Sequence, residues 1–192
     1  MRAVIYTQTG DPDVLTLADR PLAEPGPGEV RVRLHRSGVN PTDWKARRAA
    51  RPGVPVDPPQ VPNHDGAGVV DAVGPGVEEA LLGLRVWVWE AAYQRVEGTA
   101  QEHALVPRHQ VAHLPDVASY DLGASLGVPF LTAHRALTVT EGGPVRLGPG
   151  TLQGRTVLVS GGAGAVGNAA IQLARWSDAL VISTVSLSLI HI

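Results

Sequence analysis

The stretch "VLVSGGAGAVG" at residues 157–167 constrains this chain more than any other. The run "RTVLVS" that leads into it is nearly continuous in apolar residues, the pattern of a strand covered on both faces. Gly162, Gly164 and Gly167 then fit G-x-G-x-x-G. In that pattern the first glycine permits a tight turn, the second lets backbone approach a pyrophosphate, and the third allows a helix to pack close on the strand. Beyond the turn, Val166, Ala169, Ala170, Leu173 and Ala174 recur at the spacing of one helix face. "ALVISTV" at 179–185 reads as a second buried strand and completes a β-α-β unit. A lone glycine triplet is a weak sign, because an ordinary βα turn has the same composition. The strand before it and the amphipathic helix after it are the context that makes it a dinucleotide site. The amides of Ala165 and Val166 would then face the phosphates at the positive end of the helix dipole.

The end of that second strand bears on which dinucleotide is bound. An acidic residue for the adenosine ribose of NAD is expected about 20 residues beyond the turn. The sequence there is Ser183, Thr184, Val185, Ser186, with no carboxylate to repel a 2′-phosphate. NADP(H) is the expected cofactor, with Ser186 at the adenosine end of its site.

Upstream the chain has a different rhythm. "RAVIY", "VLTLAD", "VRVRLHRSG", "AGVVDAVG", "RVWVW" and "EHALV" are short strand-like runs separated by Pro/Gly turns. In the third of them Val30, Val32 and Leu34 alternate with Arg31, Arg33 and His35, the period of a strand buried on one face. Many short, regularly punctuated strands point to a small β-barrel or sandwich. After "HLPD" at 113–116 the pattern turns helical, with Pro129 starting a second helical segment after a break. A boundary near residue 125 therefore divides a β-rich domain, 1–125, from an α/β domain, 126–192.

Composition removes several classes of function. The net charge of −2 gives no support to a nucleic-acid or anionic-membrane partner. Arg47, Arg48 and Arg51 cluster but are flanked by Asp43 and Asp57, so a solvated surface of mixed charge is expected. There is no cysteine, which excludes disulfides, thiol catalysis and every cysteine-based zinc site. No apolar run has the length of a membrane span. The N-terminus lacks the apolar core of a signal peptide, and the expected compartment is the cytoplasm.

Taken together, "GVNPTDW" (38–44), "PNHDGAGVVDAVGPGV" (62–77), "GTAQEHALVP" (98–107), "LGVPFLTAHRAL" (126–137) and "VLVSGGAGAVGNAAIQLAR" (157–175) resemble the medium-chain dehydrogenase/reductase superfamily. The branch they are most similar to is the zinc-independent, zeta-crystallin-like quinone oxidoreductases. The resemblance runs from Met1 to about Ser186. It implies a GroES-like β-barrel domain followed by the first β-α-β of a Rossmann domain, and a homodimer. It also implies that Asn40 lines the nicotinamide pocket, that Asp43 shapes the same loop, and that Thr132 contacts the nicotinamide ring or its ribose. Gly162, Gly164, Ala165, Val166 and Gly167 would cradle the pyrophosphate. Blander readings are a turn at Asn40-Pro41 and a helix start at Thr132. The sequence departs from the family at Lys45, where a tyrosine is common, and at Leu84, where an acidic residue is usual. Trp87, Trp89 and Tyr93 would line a substrate cleft or pack on a barrel strand.

His64 stands in "NHDGAG", where zinc-dependent relatives carry a catalytic ligand. One histidine with one carboxylate, Asp65, falls short of the three protein ligands a catalytic zinc needs. No metal is expected, and His64 is read as a pocket-lining or hydrogen-bonding residue.

The resemblance implies reduction of a quinone or related α,β-unsaturated carbonyl by hydride from NADPH, with catalysis mostly by positioning and exclusion of water. Enoyl reductase shares the fold and stays open. A zinc-type alcohol dehydrogenase is disfavoured by the lack of cysteine. A non-catalytic NADPH-binding or RNA-binding protein is a reading of another class, and the acidic balance argues against RNA. The terminal "LSLIHI" breaks the pattern and matches the reading of a sequencing adaptor, so residues 187–192 are expected to be non-native. The chain is read as a fragment, poorly stable and inactive alone, with activity belonging to the full-length parent.

Overall fold

A computed structural model describes residues 1–186; the expected non-native tail lies outside the described residues. The chain forms two compact units, Met1–Val128 and Pro129–Ile192.

The first unit is built on antiparallel pairing. β1 (Arg2–Gln8) lies between β2 (Thr16–Asp19) and β4 (Pro55–Gln60) in one sheet. A second sheet has the order β7-β3-β5-β6-β8, from β3 (Glu29–Gly38), β5 (Asp65–Val73), β6 (Arg85–Val88), β7 (His103–Pro107) and β8 (Val111–His113). The alternation in β3 does what its period demands: Val30 and Val32 are buried with Val70, Val86, Val88, Val106 and Val111. A smaller cluster of Ala67, Leu114 and Ala124 forms under α2 (Tyr120–Ala124), and Trp87 packs against it. Trp87 and Trp89 lie with ring centroids 5.0 Å apart, while Tyr93 is exposed. β4 carries three prolines and is absent from the strand-like runs above. It is tolerated because it pairs with β1 alone, at an edge where a missing N–H costs little.

α1 (Pro41–Arg48) is a helix where the sequence offered only a turn at Asn40-Pro41. Asn40 caps it, Pro41 fits the first helical position, and Asp43 sits at the third. Its inward residues are Asp43 and Arg47, so no apolar stripe announces it. Arg47 therefore corrects the expectation of a solvated arginine cluster. It is 7% exposed and its Nη1 donates to the Gly10 carbonyl at 2.6 Å, while Arg48 stays at the surface near Asp11.

In the second unit, β9 (Thr156–Ser160) and β10 (Leu180–Thr184) pair in parallel, joined by α4 (Ala165–Trp176). α3 (Gly127–Thr138) begins at the end of the first unit and continues into this one. Ala133 of α3, Val159 of β9 and Ala169 and Ala170 of α4 share a buried core with Val157, Val181 and Leu173 at its rim. Two expectations need correction. The strands are covered on one face only: Leu158, Leu180 and Ile182 point away from α4 and are 68%, 65% and 52% exposed. Val166 is also off the buried face, at 39% exposure, in the first turn of α4. Among the described residues no helix is long and apolar enough to cross a membrane.

Candidate functional site

In the first unit, register brings together residues far apart in sequence. β3 and β5 pair so that Gly38 lies opposite Asp65. The chain leaves β3 through Val39 into α1, which sets Asn40 and Asp43 beside the start of β5. The Asn40 backbone amide donates to Asp43 Oδ2 at 2.6 Å, half of a capping box. Asp43 Oδ1 lies 2.6 Å from His64 Nδ1. The Asn40 carboxamide turns the other way and donates from Nδ2 to Asp65 Oδ2 at 2.8 Å. That same oxygen accepts the Val128 backbone amide at 2.8 Å, from the first turn of α3. Behind it, Thr99 Oγ1 donates to the Asp65 carbonyl at 2.5 Å and lies 2.8 Å from Ser37 Oγ.

Asp65 has no accessible surface at all. Its Oδ1 has no hydrogen-bond partner, and it fills the space where Gly127 has no side chain, since a Cβ there would collide with it. Burial is the main reason its acidity is weakened, raising its pKa to about 6 against the pull of the Val128 and Asn40 hydrogen bonds. His64 is raised above the ordinary histidine value, chiefly by its hydrogen bond to Asp43. The sequence reading of His64 as a hydrogen-bonding residue agrees with that contact. It missed Asp65 as the centre of the cluster, considering it only as a metal ligand. Among the described residues no group of three or more histidines and acids is placed to hold a metal ion.

The second unit holds the glycine turn. Its left-handed residue is Gly161, with φ of 71°, so the tight turn is made there and not by Gly162 as the motif suggested. Gly162 is required for another reason: a Cβ on it would collide with the Ser183 hydroxyl and crowd Ile171. Gly167 sits where a Cβ would collide with the Gly161 carbonyl, which is the close approach of α4 to the turn. Gly164 is different. It caps α4 with ordinary extended torsions, and a Cβ there would meet only the Gly161 carbonyl oxygen, at 3.3 Å. Ala165 and Val166 are exposed in the helical turn that follows. The turn is tied to β10 by Gly162 N donating to the Thr184 carbonyl at 3.0 Å. Among the described residues, a Cβ on Gly164 at this helix N-terminus would meet no side chain, which fits the approach of a pyrophosphate. Thr132 is exposed on α3 beside the buried Ala133, and Ser186 is exposed beyond β10.

Residues 26–116 match the family model of the alcohol dehydrogenase GroES-like domain. The β-rich first unit and the β-α-β of the second agree with the expected GroES-like domain followed by part of a Rossmann domain. The chain carries the alcohol dehydrogenase GroES-like domain, and its structural neighbours are medium-chain dehydrogenase/reductase proteins. Among medium-chain dehydrogenases/reductases, human quinone oxidoreductase is 34% identical over 96% of this chain and 52% of its own length. A mycobacterial protein solved in complex with NADPH is 34% identical, with a TM-score of 0.77 over 98% of this chain and 54% of that one. An NAD-dependent alcohol dehydrogenase superposes with a TM-score of 0.83 at 33% identity, over 98% of this chain and 59% of that one. The chain spans about half the length of the curated relatives it matches.

Proposed function

We propose that the full-length protein is an oxidoreductase that passes a hydride from NADPH to a quinone or a related α,β-unsaturated carbonyl. The observation that carries this reading is the turn at Gly161–Gly167: close packing at Gly162 and Gly167, and an open cradle at Gly164 in front of α4. The bound cofactor supplies the hydride. The chain's part is placement. Gly162, Gly164 and Gly167 let backbone approach the pyrophosphate, and the Ala165 and Val166 amides face it. Asn40 and Thr132 meet the nicotinamide end, and Asp43 fixes the turn that carries Asn40. Ser186 lies at the adenosine end, where Ser183–Ser186 offers no carboxylate against a ribose 2′-phosphate. Relatives that carry the quinone oxidoreductase name and a neighbour solved with NADPH support this choice of cofactor and substrate class. The NAD-dependent neighbour makes the cofactor preference the sharper half of the test. In this reading the enzyme is a cytoplasmic homodimer without a metal, and the proton that follows the hydride comes from solvent.

The test is cofactor oxidation by the purified full-length protein, offered NADPH or NADH with a panel of quinones and enones. Turnover with NADPH favoured over NADH is expected. No oxidation of either cofactor with any acceptor would sink the proposal, and a preference for NADH would remove its cofactor half.

A further inference from the structure

Asp65 is the most deeply buried ionisable group of the first unit, and its surroundings penalise its charge. A residue so placed is poorly explained by stability alone. Its contacts suggest another task. One oxygen, Oδ2, receives both the Asn40 carboxamide and the Val128 amide, each at 2.8 Å. The other, Oδ1, lies against Gly127 without a partner. Two glycines make room for the carboxyl group: Gly38, whose absent Cβ would press on Asp65 Cβ and the Ala124 carbonyl, and Gly127. The backbone on both sides is thus shaped around this one side chain. Three segments meet at it: the β3–α1 turn through Asn40, the start of β5, and the first turn of α3 through Val128.

We infer that Asp65 is a positioning residue, which fixes the Asn40 carboxamide for the cofactor's nicotinamide end and ties it to the start of the helix that carries Thr132. This rests on the proposed role of Asn40 and adds to it the residue through which Asn40 is held. Hydrogen bonding through a single oxygen has a consequence. An asparagine at 65 can present its carbonyl oxygen to both donors, whereas alanine can present nothing.

The experiment is a double-mutant cycle in the full-length protein, read by NADPH fluorescence titration, by kcat and KM with a quinone, and by thermal melting. Asn40→Ala is expected to weaken NADPH binding about tenfold, the scale of one buried hydrogen-bonded contact. Asp65→Ala should weaken it about as much, and the double variant no further, because both changes remove the same placement. Asp65→Asn should recover affinity to within about threefold of wild type. Where Asp65→Ala does not fold, Asp65→Ser, whose hydroxyl is too short to reach Asn40, takes its place in the cycle. Wild-type affinity in Asp65→Ala beside a weakened Asn40→Ala refutes the positioning role alone, as do losses that simply add. Wild-type affinity in Asn40→Ala refutes the reading of Asn40, and the positioning role falls with it.

Discussion

Asn40, Asp43, His64 and Asp65 in the first unit hold one another inside the protein; the turn at Gly161–Gly167 in the second unit has almost no side chains to hold. The first arrangement depends on charge and hydrogen bonding in a buried setting, where each group is costly if left unpaired. The second depends on volume, because backbone approaches backbone where a Cβ would stand. Substitutions should therefore damage the two regions by different routes. A change of charge at nearly constant shape should matter in the cluster, and a change of size without charge should matter in the turn.

The largest effect is expected from Asp43→Ala. It strips a partner from His64 and from the Asn40 backbone amide at once, inside the protein. Removing one partner of a buried pair costs about 3–5 kcal/mol, measurable by chemical denaturation. The histidine resonance of His64 should also titrate at lower pH, since the hydrogen bond to Asp43 is the main cause of its raised value. An unchanged titration would show that the contact does not govern His64. In the turn, Gly167→Val should cost about 3 kcal/mol, at the upper end for overpacking, because its side chain meets the Gly161 carbonyl and cannot turn aside. If instead the charge change proved harmless and the size change proved ruinous, the contrast between the regions would collapse to packing alone.

How much of each region could be read beforehand follows from the same contrast. The turn is local: strand, glycines and helix lie within 20 residues of one another, so Gly162, Gly164 and Gly167 were legible from spacing. Even there the reasons shifted. The left-handed residue is Gly161, and Gly162 is needed for its approach to Ser183, a residue on another strand. The cluster is not local. Asn40 and Asp65 meet because β3 pairs with β5 in one register and no other, and the register shifts between the two strands at Arg31/Val32 and Leu34/Arg36 are invisible in the alternation of β3. α1 was missed because the residues it buries, Asp43 and Arg47, are charged and give no apolar period. The one signal that pointed to Asp65 was its place beside His64 in "NHDGAG". Beside a histidine it suggests a metal ligand, but the carboxyl group is turned to Asn40 and the backbone of Val128. Apolar runs misled in the opposite direction: Leu158 and Ile182 promised strands buried on both faces, and α4 covers only one.

A pH series on Asp65→Asn separates charge from shape within the cluster itself. The folded protein raises the Asp65 pKa from 3.8 to about 6, so folding favours its protonated form. The stability this contributes is fully present below 3.8 and is lost as pH rises through about 6. Asparagine does not titrate. Its stability relative to wild type should therefore climb between pH 4 and 6, by on the order of 2–3 kcal/mol, and level off above. His64 is raised too, so its contribution is also lost with rising pH, through its own folded value. Asp43 is the main cause of the His64 rise and Asp65 only a lesser one, so most of that slope is common to both proteins and cancels in the difference. The groups facing Asp65 that titrate are Asp43 and His64, and each keeps its partner in the variant. A flat difference across this range would mean that the carboxylate is better solvated than its burial implies.

The smallest effect on stability is expected at Gly164→Ala, and it is the most informative about the turn. Gly162 and Gly167 have no room for a methyl group, but Gly164 has an ordinary backbone conformation and only one neighbour, the Gly161 carbonyl oxygen, at 3.3 Å. Alanine there should change unfolding free energy by less than about 0.5 kcal/mol, the usual range for a surface position. Its methyl group, however, would project into the space before α4 that the pyrophosphate is proposed to fill. NADPH affinity of the full-length protein should fall by about tenfold or more, since a phosphate displaced from the helix N-terminus gives up charge-assisted hydrogen bonds to its amides. Stability and binding would then part company at one glycine while moving together at its neighbours. A variant that lost stability but kept its affinity would make Gly164 a packing residue like the other two, and would move the phosphate site away from the N-terminus of α4.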